Sequence, residues 1–182
     1  MNCVDPIRDP RLVQDIGIYL KQRNERNYIL YQIGVYAGIR VSDIIALRVR
    51  DVANKDRITI REKKTRKTKT FPVNAKLKKD IAHFCKGKKA DDYLIKSRQG
   101  FNQPICREMA YKILDETGKI FGLYNLGIHS LRKTFGYHFY KQYKDVVALQ
   151  KLFNHSDPSY TLRYIGWEQS ELDKMVKGFK IG

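Results

Sequence analysis

The chain has 182 residues, of which 42% are hydrophobic and 12% aromatic, the composition of a folded domain rather than a disordered one. Its 36 Lys and Arg outnumber 19 Asp and Glu, for a net charge of +17, which favours a polyanionic partner because each phosphate neutralised releases condensed counterions. No apolar run approaches the roughly 20 residues of a membrane span, and the N-terminus lacks the basic-then-apolar pattern of a signal peptide. The three cysteines (Cys3, Cys85, Cys106) are odd in number and far apart, which argues against a disulfide framework and a Cys-rich zinc site. A cytoplasmic protein without a membrane anchor is the expectation.

Asp9-Pro10 reads as an N-cap with proline at the first helical position, opening a helix to about Arg23. A second apolar-periodic stretch covers residues 28–37 and stops at Gly38. Ser42 can cap a short helix through Leu47, with Asp43 in its first turn. Arg57-Ile58-Thr59-Ile60-Arg61 alternates and is β-branched, so it reads as a strand; Phe71-Pro72-Val73 is a short return strand at an edge. Between them lies a strongly basic loop. Asn74 caps the next predicted helix, residues 75–86, and residues 92–96 form a short extended segment. Pro104 opens a longer helix to about Phe121, and residues 130–143, 146–153 and 168–177 are also helical in pattern. The expected fold class is mainly α with a small antiparallel β-sheet (α+β), in one domain over residues 1–182, since no internal repeat or low-complexity linker divides it.

Four separated segments hold polar groups suited to phosphate chemistry. In Gly38-Ile39-Arg40-Val41-Ser42-Asp43, Arg40 follows a helix-ending glycine and can grip a phosphate with a bidentate fork, with Asp43 orienting it. Taken alone, Arg40 is more readily an ordinary surface arginine that caps its neighbours. The second segment runs Arg61-Glu62-Lys63-Lys64-Thr65-Arg66-Lys67-Thr68-Lys69, either a solvated, self-repelling hairpin or a turn that enters a DNA groove. A lysine there suits proton donation to a leaving alkoxide, because nearby cations lower its usual pKa of about 10.4. The residues alone do not select which lysine.

In the third segment, His129-Ser130-Leu131-Arg132-Lys133-Thr134, a helical path puts His129 and Arg132 on one face. Such a pair can stabilise the equatorial oxygens of a phosphorane. The fourth, Asn154-His155-Ser156-Asp157-Pro158, leads to Tyr160 and Tyr164. A tyrosine is a poor nucleophile at its usual pKa of about 10 and needs cations nearby; with 12 tyrosines in the chain, packing is the ordinary role of any one.

Together and in this order, the segments resemble the tyrosine recombinase (phage integrase) family over roughly residues 9–177. The resemblance implies that Arg40 is the first catalytic arginine, with Asp43 supporting it. It implies that His129 and Arg132 form the central His-x-x-Arg box, that His155 is the second histidine, and that Tyr164, nine residues on, is the nucleophile. Tyr160 is the near competitor at the wrong spacing. Lys64, followed by Thr65 and eight residues before Pro72, has the spacing expected of the family's catalytic lysine; Lys63 and Lys67 stay as alternatives. Lys63, Arg66, Lys67, Lys69 and Lys133 are expected DNA contacts. Two positions depart from the family pattern. Asn154 stands where glycine is usual before the second histidine, and asparagine tolerates the same left-handed backbone. Lys133 stands where His or Arg is frequent.

The implied reaction is cleavage and rejoining of DNA at a specific recombination site through a 3′-phosphotyrosyl intermediate, needing neither ATP nor metal and no other cofactor. The implied partner is double-stranded DNA bound by a homotetramer, and residues 167–182, with Leu172, Met175, Val176 and Phe179 at helical spacing, are either a tail passed to a neighbour or a terminal helix on its own core. The family's N-terminal core-binding domain has no counterpart ahead of residue 9, which fits both an excised fragment and a naturally short enzyme like the fimbrial-switch invertases. The rival readings are a type IB topoisomerase and a non-catalytic DNA-binding regulator of the same fold. Target sequence and the choice among integration, excision and inversion are not legible.

Overall fold

Asp9 accepts a hydrogen bond from the Arg11 N–H at 2.8 Å and opens α1 (Pro10–Arg23), the start that the Asp-Pro pair predicts. The structure, a computed structural model, describes residues 4–61, 68–167, 171, 173 and 176–180. Asn24 ends α1 and caps the next helix: its N–H donates to Leu20 O at 2.8 Å, while its side chain accepts from Asn27 N at 3.2 Å. The second helix, α2 (Glu25–Ala37), therefore begins three residues ahead of the expected Tyr28. It is buried on nearly every side, from Tyr28 to Ala37, and forms the centre of the molecule. It stops at Gly38, which adopts φ 64°.

Beyond Gly38 come two single-turn helices, α3 (Val41–Ile44) and α4 (Val49–Val52). Arg40, not Ser42, occupies the N-cap of α3 without a side-chain cap, so Ser42 lies inside the turn it was expected to start. Strands β1 (Arg57–Arg61) and β2 (Thr68–Pro72) pair antiparallel, with Ile58 facing Phe71. Both of these side chains are buried, whereas Arg57, Thr59 and Arg61 are exposed, which is the alternation that identified the strand. Among the described residues this hairpin is the whole sheet. Asn74 caps α5 (Ala75–Cys85) by accepting from Leu77 N at 2.8 Å.

The expected extended segment at residues 92–96 makes only two isolated bridges, Arg48 with Tyr93 and Lys96 with Pro104. Pro104 is thus an edge residue, and α6 (Arg107–Ile120) starts three residues later, where Cys106 Sγ accepts from Met109 N at 3.3 Å. Then follow α7 (Ser130–Tyr143), α8 (Val146–Phe153) and α9 (Pro158–Tyr164). The last is a helix that apolar periodicity did not predict; Asp157 caps it ahead of Pro158 as Asp9 caps α1. Most of residues 168–177 lie outside the described residues. Among the described residues, no helix is long and apolar enough to cross a membrane.

Two apolar clusters result. The larger gathers α1 to α6 around α2 and reaches Leu131 at the start of α7. The smaller consists of Tyr137, Leu149, Phe153 and Ile165, with Tyr164 and Trp167 packed against it. Helix α7 belongs to both. Gly136 allows this sharing, since a Cβ there would come within 2.6 Å of Ile165 Cγ2 and 2.8 Å of Phe153.

Candidate active site

The seam between the clusters is held by Arg132, on the first turn of α7. Only 2% of its surface is exposed. Its Nη1 donates to Gly38 O at 2.7 Å and its Nη2 to Phe153 O at 3.0 Å. These carbonyls stand at the C-terminal ends of α2 and α8. Helix C-termini carry unpaired carbonyls and partial negative charge, so the pair of ends compensates the buried cation. The guanidinium also lies over the Phe153 ring at 4.2 Å. A guanidinium has five donors, and Arg132 extends another toward the Tyr164 hydroxyl.

Tyr164 ends α9 with its ring edge-on to Phe153 at 5.6 Å and to His155 at 5.1 Å. Burial raises its pKa above the usual 10, while the charges of Arg132 and Arg40 pull it down. His155 sits one residue past Asn154, which caps α8 in the left-handed region at φ 54°. Asparagine thus performs there the turn for which glycine is usual. His155 Nδ1 lies 3.0 Å from Thr161 Oγ1, on the buried side of α9, and this contact fixes the ring beside Tyr164. Burial first, then Arg132, Arg40 and Lys69, lower the His155 pKa to about 4, so the imidazole is neutral at pH 7.

Arg40 is half-buried and Asp43, one turn on, is 6% exposed. His129 occupies the N-cap position of α7 rather than its first turn, at φ −88° and ψ −19°, a nearly helical geometry that keeps it on the side of Arg132. Its pKa is lowered by partial burial and then by the charges of Arg107, Arg132, Lys133 and Arg40. Arg40, His129, Arg132, His155 and Tyr164 are therefore brought together. Arg40 and Arg132 act on both histidines, whereas Arg107 and Lys133 act on His129 and Lys69 on His155.

The remaining expected residues are placed differently. Lys63, Lys64, Arg66 and Lys67 lie outside the described residues. Lys69 projects from β2 into the rim of the site and donates to Leu152 O at 3.3 Å, beside the carbonyl that Arg132 holds. Lys133, expected among the DNA contacts, is only 8% exposed, with its ammonium 5.4 Å from the centroid of the Tyr164 ring. It lies inside the site, not on an outer surface. Tyr160, the rival tyrosine, is 52% exposed and stacks 6.4 Å from Tyr164. Sequence reasoning missed Arg107. As the first residue of α6 it gave no local signal, and only packing of α6 against the site places its charge beside His129.

Residues 10–171 match the model of the phage integrase family. The chain is 42% identical to a probable integrase/recombinase, YoeC, of Bacillus subtilis over 179 residues, 98% of each chain. It is 26% identical to a tyrosine recombinase of Pseudothermotoga lettingae, covering 90% of this chain but 61% of that protein. Among solved structures, XerA recombinase superposes with a TM-score of 0.80 at 19% identity, over 98% of this chain and 66% of XerA. The catalytic domain of bacteriophage HP1 integrase superposes with a TM-score of 0.61 at 21% identity, over 96% and 94% of the two chains. The chain thus spans about three-fifths of the length of some relatives and nearly all of others. By sequence and fold, it belongs to the phage integrase family of tyrosine recombinases.

Proposed function

We propose that this chain cleaves and rejoins double-stranded DNA at a specific site with Tyr164 as nucleophile. The supporting observation is the convergence on one phenol of Arg132, Arg40 and a neutral His155 from three different elements. Tyr164 Oη attacks a phosphodiester phosphorus and releases its proton to water, forming a 3′-phosphotyrosyl bond. The P–O5′ bond breaks, and the departing oxygen takes a proton from Lys64. Arg40 and Arg132 hold the non-bridging oxygens, and Asp43 supports Arg40. His129 and His155 add hydrogen bonds that strengthen as charge builds on those oxygens. The 5′-hydroxyl of a partner strand then attacks the phosphotyrosine, so the bond energy passes from strand to strand.

The proposed working form is a cytoplasmic homotetramer on DNA, with residues 1–182 acting as one catalytic domain and the segment beyond Trp167, whose own ring packs on Tyr137 and Tyr140, passed to a neighbour. In support, Val176 and Phe179 leave 74% and 71% of their surfaces exposed. Deletion after Trp167, which leaves that residue's packing in place, should weaken association on DNA before it affects monomer stability.

The test is a nicked, partly randomised duplex pool at low salt, denatured and examined for covalent protein–DNA adducts. Wild type and Tyr160→Phe should form the adduct, and Tyr164→Phe should bind DNA without forming it. An adduct with Tyr164→Phe would overturn the assignment. Relaxation of plasmids without strand exchange would point instead to topoisomerase chemistry.

A further inference from the structure

Residues 4–9 cross α7 and end beside the nucleophile helix. Ile7 is 3% exposed and has both backbone polar groups held by α7: its N–H donates to Thr134 Oγ1 at 2.9 Å, and its carbonyl lies 2.9 Å from His138 Nε2. Thr134 and His138 are four residues apart and so share one face of the helix. The Thr134 hydroxyl in turn donates to Ser130 O at 2.8 Å. This clamp fixes the direction in which the next side chain leaves.

That side chain is Arg8. Its guanidinium lies 5.6 Å from the Tyr137 ring centroid, and its Nη2 donates to Gly166 O at 3.0 Å. Gly166 is the left-handed residue, φ 67°, that closes the turn after α9, two positions beyond Tyr164. Helix α9 has seven residues, too few to hold their shape without tertiary contacts, since isolated helices below about 12 residues are marginal in water. Its inner side is fixed by Thr161 and Ile165, both fully buried. Arg8 adds a tie at its C-terminal end, where a cation is also favoured by the helix dipole.

We propose that Arg8 is a positioning residue for strand cleavage: by bridging Tyr137 and Gly166 it seats the end of α9 that carries Tyr164. This rests on the reading of Tyr164 as nucleophile. Loss of the tie lets the last turn of α9 shift relative to Arg132, and a misplacement near 1 Å can slow an in-line attack by about a hundredfold. DNA affinity, set by the basic surface as a whole, stays the same.

Trp167, the one tryptophan of the chain, adjoins Gly166 and packs 4.6 Å from Tyr140, so its emission reports the placement of this turn in the intact protein. The experiment compares wild type, Arg8→Ala and Arg8→Lys by Trp167 emission, by duplex binding and by single-turnover adduct formation. Arg8→Ala should shift the emission and slow adduct formation by about tenfold to a hundredfold with binding unchanged. Arg8→Lys, which keeps one donor for Gly166 O, should recover much of both. An unshifted emission overturns the tie itself, and a shifted emission with wild-type cleavage overturns its role in positioning. Absence of any adduct from wild type overturns the nucleophile reading, and the catalytic role of Arg8 with it, while the emission still decides the tie.

Discussion

Lys133 places its ammonium 5.4 Å from the centroid of the Tyr164 ring while keeping only 8% of its own surface exposed. A cation over an aromatic face is attracted by the ring quadrupole, and the attraction grows when water is excluded. Here the ring belongs to the proposed nucleophile, so the same charge stabilises the phenolate that forms as the proton leaves. Lys133→Met, which keeps the stem and removes the charge, should slow single-turnover adduct formation by about 5- to 30-fold, equivalent to about 1–2 kcal/mol. Lys133→Arg should retain most of the rate. Equal rates for wild type and Lys133→Met would remove this residue from the chemistry.

Arg132 has a structural task that its proposed chemistry does not require. Two of its hydrogen bonds join the ends of α2 and α8. Arg132→Ala leaves both carbonyls without their partner and should cost about 2–5 kcal/mol in urea unfolding. Arg132→Lys keeps the charge but not the forked geometry, so it should regain only part of that stability while cleavage stays low. An unfolding midpoint unchanged in Arg132→Ala would show that water replaces the guanidinium without penalty.

The neutral state of His155 has a consequence for stability against pH. In the folded chain its pKa is lowered from 6.5 to about 4. The unfolded chain therefore takes up this proton first on acidification. The contribution is full above pH 6.5 and is lost progressively as pH falls toward about 4. His129 is shifted in the same direction. Melting temperature should drop across this window in wild type and less steeply in His155→Gln; parallel curves for the two proteins would contradict it.

At Gly136, α7 lies tight against Phe153 of α8 and Ile165 just past α9. Gly136→Val should push against Ile165 and Phe153 and destabilise the fold by about 1–3 kcal/mol. Because those residues also line the seat of Tyr164, adduct formation should fall even at temperatures where the variant is fully folded. Circular dichroism melts and single-turnover cleavage on the same samples separate the two effects.

Elements with a clear apolar pattern were legible in the sequence, down to the five residues of β1, whereas α4 and α9 were not. Asp9-Pro10 marked α1 because fourteen residues of amphipathic pattern followed. Asp157-Pro158 is the same signal, but seven residues give too few turns for a pattern to emerge. Pro104 misled because a proline before a helical stretch fits both a helix start and an edge bridge. Local energetics chose the bridge once Cys106, an unusual N-cap, supplied the capping acceptor. The site separates along the same line. Arg40, His129, Arg132, His155 and Tyr164 are the residues that the family resemblance proposes from their order along the chain. The burial of Lys133, the reach of Lys69 and the presence of Arg107 depend on which elements pack side by side, and no local pattern encodes that.

The smaller apolar cluster gives the proposed covalent intermediate a mechanical character. Once Tyr164 is bonded to DNA, the strand hangs from a seven-residue helix whose main anchors are Ile165, Thr161 and the rings beneath it. Any pull from the moving strand reaches the protein through these side chains, through the Arg8 tie at Gly166 and through Arg132, which joins Tyr164 to the end of α2. The stability of the covalent complex under load is therefore set by how well this one small cluster holds together, rather than by the stability of the molecule as a whole.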